Sequence, residues 1–429
     1  MSTTKLTIDA LGPKGDGIHF GRHEPAYVER AIPGDLVAVR IERDDHGVAR
    51  GEVVELIESS PYRIAAPCAH YENCGGCTLQ HLDSGFYREW KVQVVKEAFH
   101  KQGLLPRQWL KPIFLGAKNR RRATFATFRS RGKLVMGYYR RRSRQITEID
   151  SCLIASPELL ALRDEVRPFL SRILPSGKIA DVFLQRVEHA ADMVITGPIG
   201  RHGQPDAEVK AVVAELLAAS QVKRVSWRPS EADAVVSLGN QGPIVASFGE
   251  LRVNLPPAAF LQPTPEGEAV LVEAVMNALP AQGIFADLFS GCGTFSGPMI
   301  SRGAVDSYES VPSAVSALAK AAGKQSLKVY RRDLFRHPLR RDEINRYDAV
   351  VFDPPRSGCA EQAASMATAK TGVLVGVSCN PATFARDARL LCDGGYWLQS
   401  LQVVDQFVWS HHVEVVGVFT KKKRQSGKR

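Results

Sequence analysis

The sequence predicts an α/β chain: a doubly wound, mostly parallel C-terminal sheet ending in an antiparallel hairpin, preceded by a small N-terminal β-barrel and a central α+β region. Three observations carry that reading. From GIFADLFSG onward, strand-like runs alternate with helical ones, the pattern of a parallel sheet with crossover helices. The last two β-runs, LQSLQVVDQF and VEVVGVFTK, have no helix between them, so the simplest arrangement is a hairpin at one side of that sheet. The first 60 or so residues hold only short strands parted by Gly and Pro turns, such as GPKGDG and IPGD.

Taken in order, KLTIDAL, IHFGR, PAYVE, LVAVRIER and ARGEVVELIE are the strands of the barrel, residues 1–60. Residues 61–250 form the central region, with one helix over Phe86 to Gln102, an amphipathic helix in LLALRDEVRPFLSRIL, and strands in VFLQRVE, ADMVITGP and AVVSLG. Residues 251–420 open with the amphipathic GEAVLVEAVMNALP and continue into the β-α series; residues 421–429 are a basic tail. At 429 residues the chain exceeds one ordinary domain. No apolar run approaches the roughly 18 residues of a membrane-spanning helix, and MSTTKLTIDALG lacks the regions of a signal peptide. A cytoplasmic protein with no membrane partner is expected.

The net charge is +11, and its placement says more than its size. Lys111 to Asp150 carries twelve Lys or Arg against Glu148 and Asp150, and KKKRQSGKR adds six cations and no acid. Aromatic residues interleave the first of these, in RRRATFATFRS and GYYRRRSRQ. Arginine and aromatic side chains stack on unpaired bases, so RNA is the expected partner, with Arg120, Arg121, Arg122, Phe125, Arg140 and Arg141 as candidate contacts. Of the eight cysteines, Cys68, Cys74 and Cys77 cluster in CAHYENCGGC, and Cys152 follows far downstream. In a cytosolic chain such a set points to metal rather than disulfides, and four thiolates suit zinc or an iron–sulfur cluster equally by count. Cys292, Cys359 and Cys392 read as packing residues.

FADLFSGCGTFS places Asp287, Gly291 and Gly293 between a strand and a helical stretch, where glycines let backbone approach a ligand. The second strand ends in Glu309, suited to both ribose hydroxyls of an adenosine, and the third in Asp333, suited to the region near the adenine. The fourth ends in VVFDPPRSG, with Asp353 at its tip. Acids at successive strand ends line one sheet edge, where open α/β sheets bind ligands. In SCNPATF, Cys379 stands between an apolar strand and a helix whose N-cap is Asn380 and whose first residue is Pro381. A helix N-terminus lowers a thiol's pKa, so Cys379 is expected to be an activated nucleophile.

The ordered set DLFSGCGTFS, YES, RRD, FDPPRSG, SCNPATFARD and HHVEVVGVF resembles the S-adenosylmethionine-dependent RNA uracil-C5 methyltransferases, over essentially the whole chain. The resemblance implies a class I, Rossmann-like methyltransferase domain with an antiparallel final strand, a TRAM (OB-like) barrel at the N-terminus, and a [4Fe–4S] cluster on Cys68, Cys74, Cys77 and Cys152. The lone fourth cysteine is similar to that family's three-plus-one spacing and unlike the paired C-x-x-C units of zinc ribbons. Members with both barrel and cluster are 23S rRNA (uracil-5) methyltransferases; the tRNA-modifying bacterial members lack both. By the same resemblance Cys379 is the nucleophile, Glu414 the general base, and Gln262, Phe289, Thr294, Glu309, Asp333 and Asp353 hold S-adenosylmethionine or the reacting uracil. Asp353 counts with Cys379 and Glu414 as catalytic. Glu414 opens a strand antiparallel to the others, so it is expected at the edge that carries Asp353 and Cys379. The chain departs from the family at Thr294 and in Gln262-Pro263-Thr264, where asparagines are usual, and by alanines and lysine after Glu309. A monomer is expected. The alternatives are a tRNA uracil-5 methyltransferase, an RNA cytosine-C5 methyltransferase, which commonly places Cys where Arg356 stands, and a non-catalytic RNA-binding assembly factor.

Overall fold

A computed structural model describes residues 3–21 and 24–421; the basic tail from residue 422 lies outside the described residues. In the N-terminal region six strands over 4–58 form one sheet. The run 4–11 pairs by its first half with Leu36–Arg43 and by its second with Gly17–Phe20, so one stretch of chain borders both ends of the sheet. Leu6, Ile8, Val28, Val37 and Val39 fill the space between.

A seven-stranded sheet spans residues 122–240, with α2 (Pro157–Ile173) and α3 (Ala207–Ala219) packed on it over a separate core. Ser156 and Asp206 cap these helices, each accepting from the amide three residues on. Helix α3 and the hairpin of Val245–Phe248 with Leu251–Asn254 had no counterpart in the sequence reading.

The C-terminal sheet contains β1 (Gly283–Leu288), β2 (Gly303–Glu309), β3 (Leu327–Arg331), β4 (Ala349–Phe352), β5 (Val373–Ser378), β6 (Tyr396–Asp405) and β7 (Glu414–Lys421) in the order β3-β2-β1-β4-β5-β7-β6. Strands β1 to β5 are parallel; β7 runs antiparallel to both β5 and β6. Beyond β6 the sheet is extended by Gln108–Trp109 and Ile113–Phe114, and α1 (Ser84–Lys101) packs against α7 (Pro381–Asp393) and β6. Residues 84–114 therefore build onto the C-terminal sheet, a difference from the boundary expected at residue 250. The reason is burial: Val95, Phe99 and Leu104 belong to the same core as Phe352, Phe384 and Phe419.

Two paired glycines set how closely α7 lies on this sheet. Gly376 on β5 faces Gly417 on β7. A Cβ on either would sit within 2.6–2.8 Å of the Phe384 ring, which is nearly wholly buried. Phe384 comes from the second turn of α7, so this approach fixes the helix whose N-terminus lies beside Cys379. Among the described residues no helix is long and apolar enough to cross a membrane.

Candidate active site

The sheet edge at the ends of β1, β2, β4 and β5 and the start of β7 collects the acids and the thiol that the sequence singled out. Ser378 pairs with Val415 across β5 and β7. The next residue of β5's chain is Cys379 and the preceding residue of β7 is Glu414, so the register brings these two side by side. Asp353 follows β4, the neighbour of β5 on its other side. Asn380 caps α7 by accepting from the Ala382 amide at 3.1 Å and donates to the Arg356 carbonyl at 2.9 Å. This ties the loop after Asp353 to the loop after Cys379.

The electrostatics differ from the sequence expectation. The Cys379 thiol is pushed up to about 11, first by burial and then by the charges of Glu414 and Asp353. The helix N-terminus was legible in Asn380-Pro381, and so was the convergence of both carboxylates; that burial and those charges outweigh the helix N-terminus was not. What opposes them is Arg356, whose guanidinium donates a hydrogen bond to the thiol and lowers its pKa. Arg356 also lies 3.1 Å from His412 Nε2. Glu414 is buried and raised to about 7, chiefly by desolvation, with Gln406 and Arg356 pulling the other way. Asp353 is held well above the usual carboxylate range by burial and by the charges of Glu414 and Asp287. At neutral pH the edge thus offers a thiol, a half-ionised base and a carboxyl whose burial favours its neutral form, within one another's fields.

Along the same edge, Asp287 is fully buried and raised to about 7 by burial; Ser296 donates to one of its oxygens and the other has no partner. Ser290 Oγ and Gln406 Oε1 are also buried without partners. Phe289 holds φ 62°, a region costly for a bulky side chain, and its ring lies 5.6 Å from that of Phe335. Gly291, with φ 55°, has nothing within 4 Å of where a Cβ would stand, and its amide donates to Glu309 Oε2 at 2.9 Å. The other Glu309 oxygen accepts from the amides of Ser310 and Val311. Asp333 caps its own turn by accepting from Phe335 and Arg336. Orphaned polar atoms beside an open glycine turn, flanked by carboxylates at successive strand ends, fit a cationic, hydroxyl-rich nucleoside. Thr294 lies in the same turn, half-buried. Gln262 is buried, accepts from Gln406 Nε2 at 2.9 Å, and its carbonyl accepts from Arg121 Nε at 3.0 Å. Gln406, which also donates to Glu414 Oε1 at 3.3 Å, and Arg356 are the site residues that sequence reasoning did not assign. Each sits in a loop whose partner is remote in sequence, and Arg356 showed only as the residue after a D-P-P tip.

The four cysteines converge. Cys68, Cys74, Cys77 and Cys152 line one cavity of about 200 Å3 together with Arg120, Tyr138 and Gln80. Burial raises the Cys74 and Cys77 thiols, and the other cysteines of the set add to it. Among the described residues no three or more His, Cys, Asp or Glu are drawn together as a single metal-ion site. A zinc site needs every sulfur about 2.3 Å from one point, whereas a four-iron cluster spreads its thiolates around a larger body. The four cysteines share one cavity without being drawn into a single-ion arrangement.

The basic window divides. Phe125, expected to face RNA, is fully buried in the core of the seven-stranded sheet and stacks on Tyr138. The cations around it in sequence leave by other faces of the strand. Arg121 pairs with Glu268 at 2.6 Å, and Arg141 with Asp16 at 2.6 Å, so both are committed to holding the fold together. Arg140 is exposed. Arg122 lies 4.4 Å over the exposed ring of Phe260, and Arg120 lies 6.0 Å from that of Phe407.

Comparison with known proteins places these features. The family model described as tRNA (Uracil-5-)-methyltransferase matches residues 326–423. The chain is 35% identical to an uncharacterized RNA methyltransferase of Caulobacter vibrioides, over 97% of this chain and 99% of that protein. It is 29% identical to the 23S rRNA (uracil(1939)-C(5))-methyltransferase of Chromohalobacter salexigens, over 97% and 89%. Among solved structures it is similar in fold to the Pyrococcus abyssi tRNA (uracil-54, C5)-methyltransferase in complex with S-adenosyl-L-homocysteine, with TM-score 0.73 and 22% identity, covering 97% of this chain and 99% of that one.

Proposed function

The chain belongs to the RNA uracil-C5 methyltransferase family, and from that premise we propose that it methylates C5 of a uridine in 23S rRNA through a covalent adduct between Cys379 and C6 of the base. The observation that carries the mechanism is the β5–β7 register, which sets Cys379 beside Glu414. C5 of uracil is a poor nucleophile and its hydrogen is not acidic. The Cys379 thiolate adds to C6 and makes the ring an enolate. S-adenosylmethionine supplies the electrophilic methyl group. Once C5 carries the methyl, Glu414 takes the C5 proton, the electrons re-form the C5–C6 double bond, and the Cys379–C6 bond breaks to return the thiolate. A base of pKa about 7 is matched to that task at neutral pH. Arg356 stabilises the thiolate before addition and after release. Asp353, whose burial favours the neutral form, would offer a hydrogen bond to the bound ring.

Glu309, Asp333, Phe289, Thr294 and the Gly291 turn would hold the cofactor, with Gln262 toward the base. Cys68, Cys74, Cys77 and Cys152 would hold a [4Fe–4S] cluster that clips the segment before the basic window to the one after it. The N-terminal sheet, read as a TRAM-like barrel, with Arg120, Arg122 and Arg140, would grip RNA and offset the few kcal/mol of unstacking the target base. The 23S rRNA target is supported by the relative of that activity, which the chain matches over nearly its whole length; a monomeric, cytoplasmic enzyme accords with it.

The test is RNA carrying 5-fluorouridine. Fluorine cannot leave as a proton, so a covalent protein–RNA band should persist on a denaturing gel with wild type and vanish with Cys379→Ala. A band that survives Cys379→Ala but not Cys359→Ala would move the nucleophile and favour the cytosine chemistry. No band with the wild-type protein would favour an assembly factor. Mapping 5-methyluridine in rRNA and tRNA from cells lacking the protein identifies the target; loss confined to tRNA would overturn the rRNA assignment.

A further inference from the structure

Glu414 is delivered by an unusually long hairpin connection, residues 406–413 between β6 and β7. Hairpin loops are commonly two to about five residues, and a longer one has no fixed shape of its own. This one is fastened from outside. Lys91 on α1 is fully buried, more than 300 positions earlier in the chain. Its ammonium donates to Asp405 Oδ1 at 2.8 Å, to the Phe407 carbonyl at 3.4 Å and to the His412 carbonyl. All three of its protons are used, and they span the loop from the residue before it to the second residue before Glu414. Tyr87, one turn earlier on α1, donates its hydroxyl to the other Asp405 oxygen and accepts from the Trp409 amide at 3.0 Å. The Trp409 carbonyl accepts from the amides of Thr78 and Leu79 at 2.8 and 3.0 Å. Trp409 itself has φ 56°, a conformation a bulky residue adopts only when its surroundings impose it.

A buried ion pair contributes little net stability over well-packed apolar residues. Its contribution here is geometric: one cation registers both ends of a loop that packing alone would leave loose. We infer that Lys91 and Tyr87 are positioning residues for Glu414, fixing loop 406–413 so that the carboxylate meets the C5 proton of the methylated adduct. The inference rests on the reading of Glu414 as the general base.

The test follows the fate of the adduct on ordinary uridine RNA with S-adenosylmethionine. Lys91→Met, Tyr87→Phe and Glu414→Gln are compared for kcat, for KM of each substrate, and for the fraction of protein in a covalent band during turnover. Glu414→Gln should accumulate the band. Lys91→Met and Tyr87→Phe should accumulate it too, with kcat down about tenfold to a hundredfold and both KM values within about twofold. A purely structural role would reduce the folded fraction without a rise in the band per folded molecule. Tyr87→Phe keeps the ion pair and removes one hydroxyl, so it carries the test where Lys91→Met does not fold. If Glu414→Gln accumulates adduct while Tyr87→Phe turns over at the wild-type rate with none, the positioning inference falls. If Glu414→Gln accumulates none, the general-base reading falls and takes this inference with it.

Discussion

At Cys379 a helix N-terminus and Arg356 favour the thiolate, while burial and two carboxylates oppose it, and the opposition wins, leaving the thiol at about 11. A nucleophile in that state is a resting one. The cofactor is a sulfonium cation, and a positive charge bound at this edge counters Glu414 and Asp353. Alkylation of Cys379 by iodoacetamide should therefore run faster with S-adenosylmethionine bound than with S-adenosylhomocysteine, which shields similarly but lacks the charge. Equal rates would mean that the cofactor's charge does not reach the thiol. Arg356→Ala should slow adduct formation roughly tenfold, about one pKa unit's worth, with cofactor affinity unchanged. Glu414 makes a stability prediction of definite sign. Its folded pKa of about 7 lies above its ordinary 4.5, so between those values the folded state holds a proton the unfolded state has lost. Stability falls as pH rises through that window, and the penalty is complete above about 7. Glu414→Gln should accordingly raise the melting temperature at pH 8, by on the order of 1–3 kcal/mol of stability, and change little at pH 4. A difference independent of pH would refute the assigned ionisation.

The elements divide into those whose signals are local and those whose constraints come from elsewhere. The strands of the C-terminal sheet were legible because short apolar runs alternating with helical stretches need no partner to be recognised, and so were the acids at or just past the ends of β1 to β4. Asn380-Pro381 announced α7 for the same reason. Phe125 was misplaced because a charge-rich window does not say which face of a strand each residue takes. The pair Gly376 and Gly417 was invisible: each is one glycine in an apolar strand until the register sets them opposite each other under Phe384. That contact yields the element-scale prediction. Gly376→Ala or Gly417→Ala forces Phe384 outward and should cost about 1–3 kcal/mol, read by denaturant midpoint. Since Phe384 seats α7, either variant should also slow 5-fluorouridine trapping at Cys379. Phe384→Leu beside Gly417→Ala, where Phe384 is the nearest neighbour, should recover part of both losses; no recovery would mean the ring is not what that glycine accommodates.

For the whole molecule, the segment 68–80 is where the parts meet. Gly75 donates to the Tyr139 carbonyl and Thr147 to that of Asn73, joining it to the seven-stranded sheet. Arg30 of the N-terminal sheet pairs with Glu72 at 3.0 Å, and Thr78 and Leu79 hold Trp409 in the loop before Glu414. Three of the four converging cysteines lie in this one stretch, and the fourth, Cys152, follows the basic window. Short irregular chain of this kind buries little apolar surface, so its order depends on cross-links more than on a core. A cluster on these thiolates would supply them, and its loss should loosen the RNA-facing parts first, since the cofactor edge of β1 to β4 is carried by cores of its own. Protein purified without oxygen should absorb near 400 nm, and Cys77→Ala should abolish that band. The same variant should be cut by protease within residues 60–84 and bind RNA more weakly, while its affinity for S-adenosylmethionine stays within about twofold. Equal loss of RNA and cofactor binding would mean that the cysteines stabilise the whole chain and not the junction. A Cys77→Ala protein that keeps its absorbance and its protease resistance would remove Cys77 from the ligand set.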